Sequence, residues 1–245
     1  MNPMKLRVHV SAINYMIETS LNAIIDSKAD KLYLLAGENR VRENDAGLIE
    51  SITKSFQKKS IKTIVHYHNK TDIPKIIKSC KDIISEEHGN DIYINVSSGN
   101  FEQAIGFSMS AGYFNESGNV HTYSCEKINS SKSIKNSTQN YEIRELIIPK
   151  IPIPEINQRL ALVEIVKEKK ISKSKLVDIL TLRNIISPRP GPGNELQVSV
   201  TNMNQNIIYP LEKKGLIKQT KVGRKHIIEP TNQGIDASVY FGESL

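Results

Sequence analysis

Over residues 6–124 the chain alternates short β-branched or apolar runs with segments whose apolar residues recur at helical spacing, and this alternation leaves few folds open. Strand-like runs fall at 6–10, 31–36, 61–66, 92–96 and 120–124. Between them, helical spacing marks 15–27, 46–59 and 101–114, and a further helix opens at Ile73-Pro74 with Thr71 or Asp72 as its cap. Strands separated by helices of this length build βαβ units, and βαβ units build a mainly parallel sheet. The expectation for residues 1–148 is an α/β, Rossmann-like domain with helices on both faces of the sheet.

The pattern then changes. Residues 129–140 are polar, 141–148 read as a strand, and Pro149, Pro152 and Pro154 interrupt any helix, so a linker is expected at 149–154. Beyond it, helical spacing covers 156–169, 172–182 and 199–214, with Gly215 as a natural C-cap. In the last of these, Val200, Met203, Ile207 and Leu211 make the expected core stripe and Pro210 an expected bend. Two short strand-like segments, 216–221 and 225–229, flank Val222-Gly223-Arg224. Three helices and a glycine-turned hairpin make a winged helix-turn-helix at 155–245.

Charge separates the same two regions. The net charge is +7, but residues 1–150 carry 19 basic against 17 acidic side chains, whereas 151–245 carry 14 against 9. The excess on the C-terminal part points to a polyanion, and with the winged helix to duplex DNA. Two cysteines, Cys80 and Cys125, are too few for a disulfide framework and are expected in or near the core. No apolar run approaches the ~20 residues that span a bilayer, so the chain reads as soluble and cytoplasmic, with no membrane partner. The six histidines form no ligand cluster, and no metal or cofactor is expected. Neither G-x-G-x-x-G after the first strand nor G-x-x-x-x-G-K-[ST] is present, which disfavours hydride transfer and P-loop chemistry. G-x-S-x-G is absent too.

Three segments remain as candidate sites. Asn95-Val96-Ser97-Ser98-Gly99-Asn100 ends a strand and opens a helix at Phe101, where amides favour anions and a glycine permits close approach. Ser97 and Ser98 are expected to offer hydroxyls to a phosphate or ribose. Ser11-Ala12-Ile13-Asn14 after the first strand, and Glu38 after the second, belong to the same rim. On the third helix of the C-terminal part, Ser199, Thr201, Asn202, Asn204 and Gln205 are expected to be exposed and to read bases, with Arg224, Lys225 and His226 on the wing holding phosphates.

The run Asn95-Val96-Ser97-Ser98-Gly99, leading into Ala104, Ile105 and Gly106, resembles the ligand loop of CARF domains, the CRISPR-associated Rossmann fold. Ala29-Asp30-Lys31-Leu32-Tyr33-Leu34-Leu35 and Tyr209-Pro210-Leu211-Glu212-Lys213-Lys214-Gly215-Leu216-Ile217 are similar to archaeal CARF regulators that end in a winged helix. The resemblance implies a homodimer that binds a cyclic oligoadenylate, typically cyclic tetra-adenylate, across its twofold axis. It also implies DNA binding and a role in CRISPR regulation, including antiviral defence. Asn100 and Phe101 depart from the Thr or Ser, then Lys or Arg, usual after that glycine. The leading expectation is a ligand-responsive transcriptional regulator rather than an enzyme. A ring nuclease using the same pocket, and an adaptor whose winged helix contacts protein, are the alternatives.

Overall fold

Five parallel strands in the order β3-β2-β1-β4-β5, with antiparallel β6 added beside β5, form the sheet of the first domain. The structure, a computed structural model, describes residues 4–13, 17–38, 43–115, 118–127, 141–186, 195–223 and 225–242. The elements are β1 (Arg7–Ala12), α1 (Ile17–Asp26), β2 (Lys31–Gly37), α2 (Glu43–Gln57), β3 (Lys62–His68), α3 (Ile73–Glu86), β4 (Asp91–Asn95), α4 (Phe101–Phe114), β5 (Val120–Lys127) and β6 (Tyr141–Leu146). The chain divides into two compact units, Met1–Pro152 and Ile153–Leu245.

Because strand side chains alternate between faces, each face of the sheet collects its own core. Val8, Val10, Ile92 and Ile94 pack under Ile76, Cys80 and Ile83 of α3 and Phe107 and Ala111 of α4. Leu32 and Leu34 face the other way, against Ile24 of α1 and Ile52 and Phe56 of α2. This is the two-sided Rossmann-like architecture that the alternating pattern implies. Both cysteines are buried, as expected.

Two glycines in α4 set how closely it is approached. A Cβ on Gly106 would stand 2.5 Å from Ile76 Cγ2, and one on Gly112 would stand 2.8 Å from Ile151 Cδ1. Ile151 also donates its amide to the Gly112 carbonyl at 2.8 Å, which holds the chain after β6 against α4. Gly106→Val is expected to force α3 and α4 apart and cost about 1–3 kcal/mol, the usual penalty of overpacking a core. Urea denaturation followed by far-UV circular dichroism reads it directly, and an unchanged midpoint would refute the close crossing.

The second unit contains α5 (Ile156–Glu168), β7 (Ile171–Ser172), α6 (Lys173–Leu182), α7 (Glu195–Met203), a π-helical turn (Asn204–Ile208), α8 (Tyr209–Lys213), β8 (Ile217–Val222), β9 (Lys225–Pro230) and α9 (Asn232–Phe241). Its sheet runs β7-β9-β8, with Ile171 opposite Ile228. The single helix expected at 199–214 is therefore corrected: it begins at Glu195 and widens into a π turn before Pro210. The cause is the proline, which lacks an amide and whose ring would strike the carbonyl four residues earlier. That carbonyl, of Asn206, is turned to another donor, Gln158 Nε2 at 3.0 Å. Tyr209 in turn donates five residues back, to Asn204. Helix α9 was not read from the sequence. It packs on α5, and its Gly234 lies so close to Leu216 that a Cβ would run into the Leu216 carbonyl.

Candidate functional site

In a doubly wound sheet the strand order reverses at one point, and there the loops leaving neighbouring strands diverge to opposite faces and open a crevice. Here that point lies between β1 and β4, since β1 leads to α1 and β4 to α4. Ser98 ties the two sides together. Its hydroxyl donates to the Asn95 carbonyl at 2.7 Å and accepts the Ala12 amide at 2.8 Å, and the side chain is fully buried. Ser97 links β4 to β5: its Oγ lies 2.8 Å from Asn95 Oδ1 and accepts the Cys125 amide at 2.8 Å. Both serines were expected to reach a ligand. In the structure both hydroxyls also hold three strand ends together, Ser98 through the Ala12 amide and Ser97 through the Cys125 amide.

At Gly99 a Cβ would stand 2.6 Å from Gln103 Cβ and 2.8 Å from its Oε1, so the absence of a side chain there makes room for the glutamine. Gln103 is half of a capping box. Asn100 Oδ1 accepts the Gln103 amide at 2.9 Å, and Gln103 Oε1 accepts the Asn100 amide at 3.0 Å. Asn100 Nδ2 also donates to the Lys70 carbonyl at 2.9 Å, bringing the turn after β3 to the start of α4. Behind the box, Gln103 Nε2 lies 3.0 Å from Nε2 of buried His68. Burial, then the neighbouring His66 charge, holds the His68 imidazole down at about 4.

The rim keeps several groups open. Capping leaves the first amides of a helix without intrahelical partners, and those of Phe101 and Glu102 have none among the described residues. Ser11 Oγ and Asn95 Nδ2, on adjoining ends of β1 and β4, are buried without a partner among the described residues. Phe101 is 77% exposed at the head of α4. The Lys70 stem crosses Gly37, 3.3 Å from where a Cβ would stand, and so brings a cation to the rim from outside the 11–14 and 95–100 loops. Ala12 is buried, Ile13 is half-buried with its amide on the Leu35 carbonyl, and Glu38 is exposed with its amide on the His68 carbonyl. Asn14 lies outside the described residues. Sequence reasoning missed His68, Lys70 and Gln103. The Asn100-x-x-Gln103 spacing was a usable signal for the last, while the other two arrive from a turn remote in sequence.

On the winged helix, Thr201 and Gln205 are exposed and Asn202 and Asn204 half-buried. Ser199 is 5% exposed, which corrects its placement on the reading face. It lies one turn before Met203, and with Ile207 and Leu211 it makes a buried stripe at four-residue spacing that the π turn keeps in line. Val200, expected in the core, is half-buried instead. His226 is exposed on β9 opposite Lys221 of β8. Arg224, and the side chain of Lys225, lie outside the described residues. Among the described residues no helix is long and apolar enough to cross a membrane, and no group of three His, Cys, Asp or Glu could hold a metal ion.

Comparison with known proteins follows the same division. Residues 7–127 match the family described as HFX_2341_N-like, N-terminal, and residues 157–242 match the DUF6293 C-terminal winged helix domain. Among curated proteins no relative matches the chain. Similar solved structures include Can2 from Sulfobacillus thermosulfidooxidans in complex with cyclic tetra-adenylate, at 13% identity and TM-score 0.41, covering 96% of this chain and 63% of that one. Enterococcus italicus Csm6 bound to cyclic hexa-2′-fluoro-hexa-dAMP is similar at 10% identity and TM-score 0.43, covering 85% and 57%. Protein VC1899 from Vibrio cholerae is similar at 11% identity and TM-score 0.42, covering 95% and 64%. The chain thus spans less than two thirds of the length of each.

Proposed function

We propose that the chain, whose residues 7–127 match the HFX_2341_N-like N-terminal family and residues 157–242 the DUF6293 winged helix domain, is a ligand-responsive DNA-binding regulator. Its ligand is a nucleotide second messenger of the cyclic oligoadenylate class, held at the β1–β4 rim across the axis of a homodimer, and its setting is CRISPR regulation. One observation carries this reading: a single chain joins a switch-point rim, with free amides at the head of α4, to a winged helix. The open amides suit phosphates, Phe101 offers a ring face to a base, and Lys70 supplies a cation where the loop itself has none.

The reading is tested at both ends. Calorimetry with cyclic tetra-adenylate should show binding that weakens in Phe101→Ala and Lys70→Ala, and light scattering should report a dimer. Chromatography of the incubated ligand should show no cleavage, because the Ser97 and Ser98 hydroxyls are engaged in the scaffold. On the DNA side, Arg224→Ala with Lys225→Ala should weaken all duplexes together and flatten the dependence of affinity on salt by roughly 0.9 log–log unit per lost phosphate contact. Gln205→Ala should instead relax preference at particular base pairs, with about 1–3 kcal/mol at stake. Unaltered salt slope and equal binding of every duplex by the helix variant would mean the domain contacts protein instead.

A further inference from the structure

The sheet of the first domain ends at β6, and Glu142, Ile143, Arg144 and Glu145 of that strand are all exposed. The bonds of β5 show which backbone groups of β6 face outward. Ser97 Oγ accepts the Cys125 amide at 2.8 Å and the Tyr123 carbonyl accepts the Val96 amide at 3.0 Å, so both residues turn peptide groups toward β4. In an antiparallel pair, a residue that turns its groups away from its neighbour faces one that does the same. Cys125 stands opposite Ile143, and Tyr123 opposite Glu145. The amides and carbonyls of Ile143 and Glu145 therefore point off the sheet, with no backbone partner beyond the edge among the described residues.

An open edge is a template for another strand, and natural sheets guard it with lysine, proline, a bulge or other charge. From Tyr141 to Leu146 there is no lysine, proline or bulge, and the charges present are ordered so that the strand matches itself. A reversed copy related by a twofold axis normal to the sheet keeps both faces continuous when the axis passes through one residue of the strand. An axis at Glu142 or Glu145 sets glutamate against glutamate, and one at Arg144 sets arginine against arginine, which is unfavourable. At Ile143 no like charges meet: Glu142 faces Arg144 of the second copy on one side of the sheet, and the two Ile143 side chains meet on the other. The outward amide and carbonyl of Ile143 then exchange two bonds across the axis. Behind the edge the sheet is stiffened by a row of rings. His9, Tyr93 and His121 occupy facing positions on β1, β4 and β5 and stack with centroids 5.0 and 4.9 Å apart. Pairing at a preformed edge orders little new chain.

We propose that β6 joins this chain to a second copy of itself, edge to edge and antiparallel, with the axis at Ile143. The contact is small beside the ~1,200–2,000 Å² of a standard interface, so it forms at high protein concentration. It runs the two sheets in opposite directions and sends their rims to opposite ends. It is therefore distinct from a homodimer axis at the rim and does not depend on what the rim binds. A chain otherwise monomeric stops at a dimer, whereas one already paired at the rim presents two such edges and grows further.

Sedimentation velocity of the full chain should show mass rising with concentration above the species present at micromolar protein. Ile143→Pro should weaken this association about tenfold or more, because proline removes only an outward amide that β5 does not use. Glu142→Arg and Arg144→Glu should each abolish it by setting like charges face to face, and an equimolar mixture of the two should restore it. One variant carries arginine at both positions and the other glutamate, so only mixed pairs are complementary, and no contact within a single chain produces that result. Far-UV circular dichroism reports whether each variant is folded, and if the proline variant is not, the exposed charge variants carry the test. Mass independent of concentration, charge variants that associate like the natural chain, or a mixture no larger than its parts would each overturn the proposal. The species at micromolar concentration, monomer or dimer, bears on the rim axis alone.

Discussion

Acidification from pH 7 to pH 4 is expected to destabilise the first domain steeply, and two buried histidines are the reason. His9 and His68 are 2% exposed each, and in both burial is the larger cause of an imidazole pKa lowered to about 4 from 6.5. The unfolded chain takes up protons below pH 6.5 that the folded domain refuses until about pH 4. Stability is therefore complete above 6.5 and falls through that window, by about 1.4 kcal/mol per pH unit for each histidine. Against a total of about 5–15 kcal/mol for a typical domain, two such groups are enough to bring it close to unfolding. Urea midpoints from far-UV circular dichroism at successive pH values check this, since the chain has no tryptophan to report by fluorescence. His68→Gln should remove one histidine's share of the slope. A midpoint that holds level from pH 7 to pH 4 would mean both imidazoles charge in place.

Glu87→Ala is expected to cost about 3–5 kcal/mol, the usual consequence of breaking a buried ion pair by removing one partner. Glu87 is 2% exposed at the end of α3, and its carboxylate accepts from Lys31 Nζ at 2.5 Å, Tyr33 Oη at 2.6 Å and Asn90 Nδ2 at 2.9 Å. Burial by itself raises the carboxyl pKa, but the bonds from Lys31, Tyr33 and Asn90 outweigh it and hold the group below its usual range. The network fastens α3 to the start of β2, and removing the carboxylate strands a lysine and a tyrosine hydroxyl in the interior. Because the folded value is depressed, the contribution of Glu87 is present above pH 4.5 and disappears as pH falls through that depressed value. Denaturant unfolding of Glu87→Ala at pH 7 reads the effect, and a loss under about 1 kcal/mol would place the group in solvent.

Much of the fold was legible because periodicity is a local signal. The alternation of residues 6–124 is enough to identify strands, helices and a parallel sheet, and the glycine-turned hairpin after three helices marks the winged helix. Pro210 was visible as a disturbance, but only packing reveals its form: a π turn whose stranded carbonyl is met by Gln158, about fifty residues earlier. Ser199 is buried while Val200 is only half so, a choice that a spacing of three or four residues leaves open. At the rim, the loop 95–100 was recognisable as a strand-to-helix turn with open amides. The destinations of its hydroxyls were not, because Ser98 bonds to Ala12 and Ser97 to Cys125, across strands that meet only in the sheet. The sequence by itself therefore determined which segments are strands and helices, where charge gathers and which turns lie at strand ends, all properties of neighbouring residues. Which polar groups stay free, which glycine serves packing, and how His9, Tyr93 and His121 come into one row were decided by tertiary structure alone. The strand-end bonds and the row depend on the register of strands separated by 23 to more than 80 residues, and the contacts of Gly106 and Gly112 on segments about 30 to 40 residues away, neither of which a linear pattern carries.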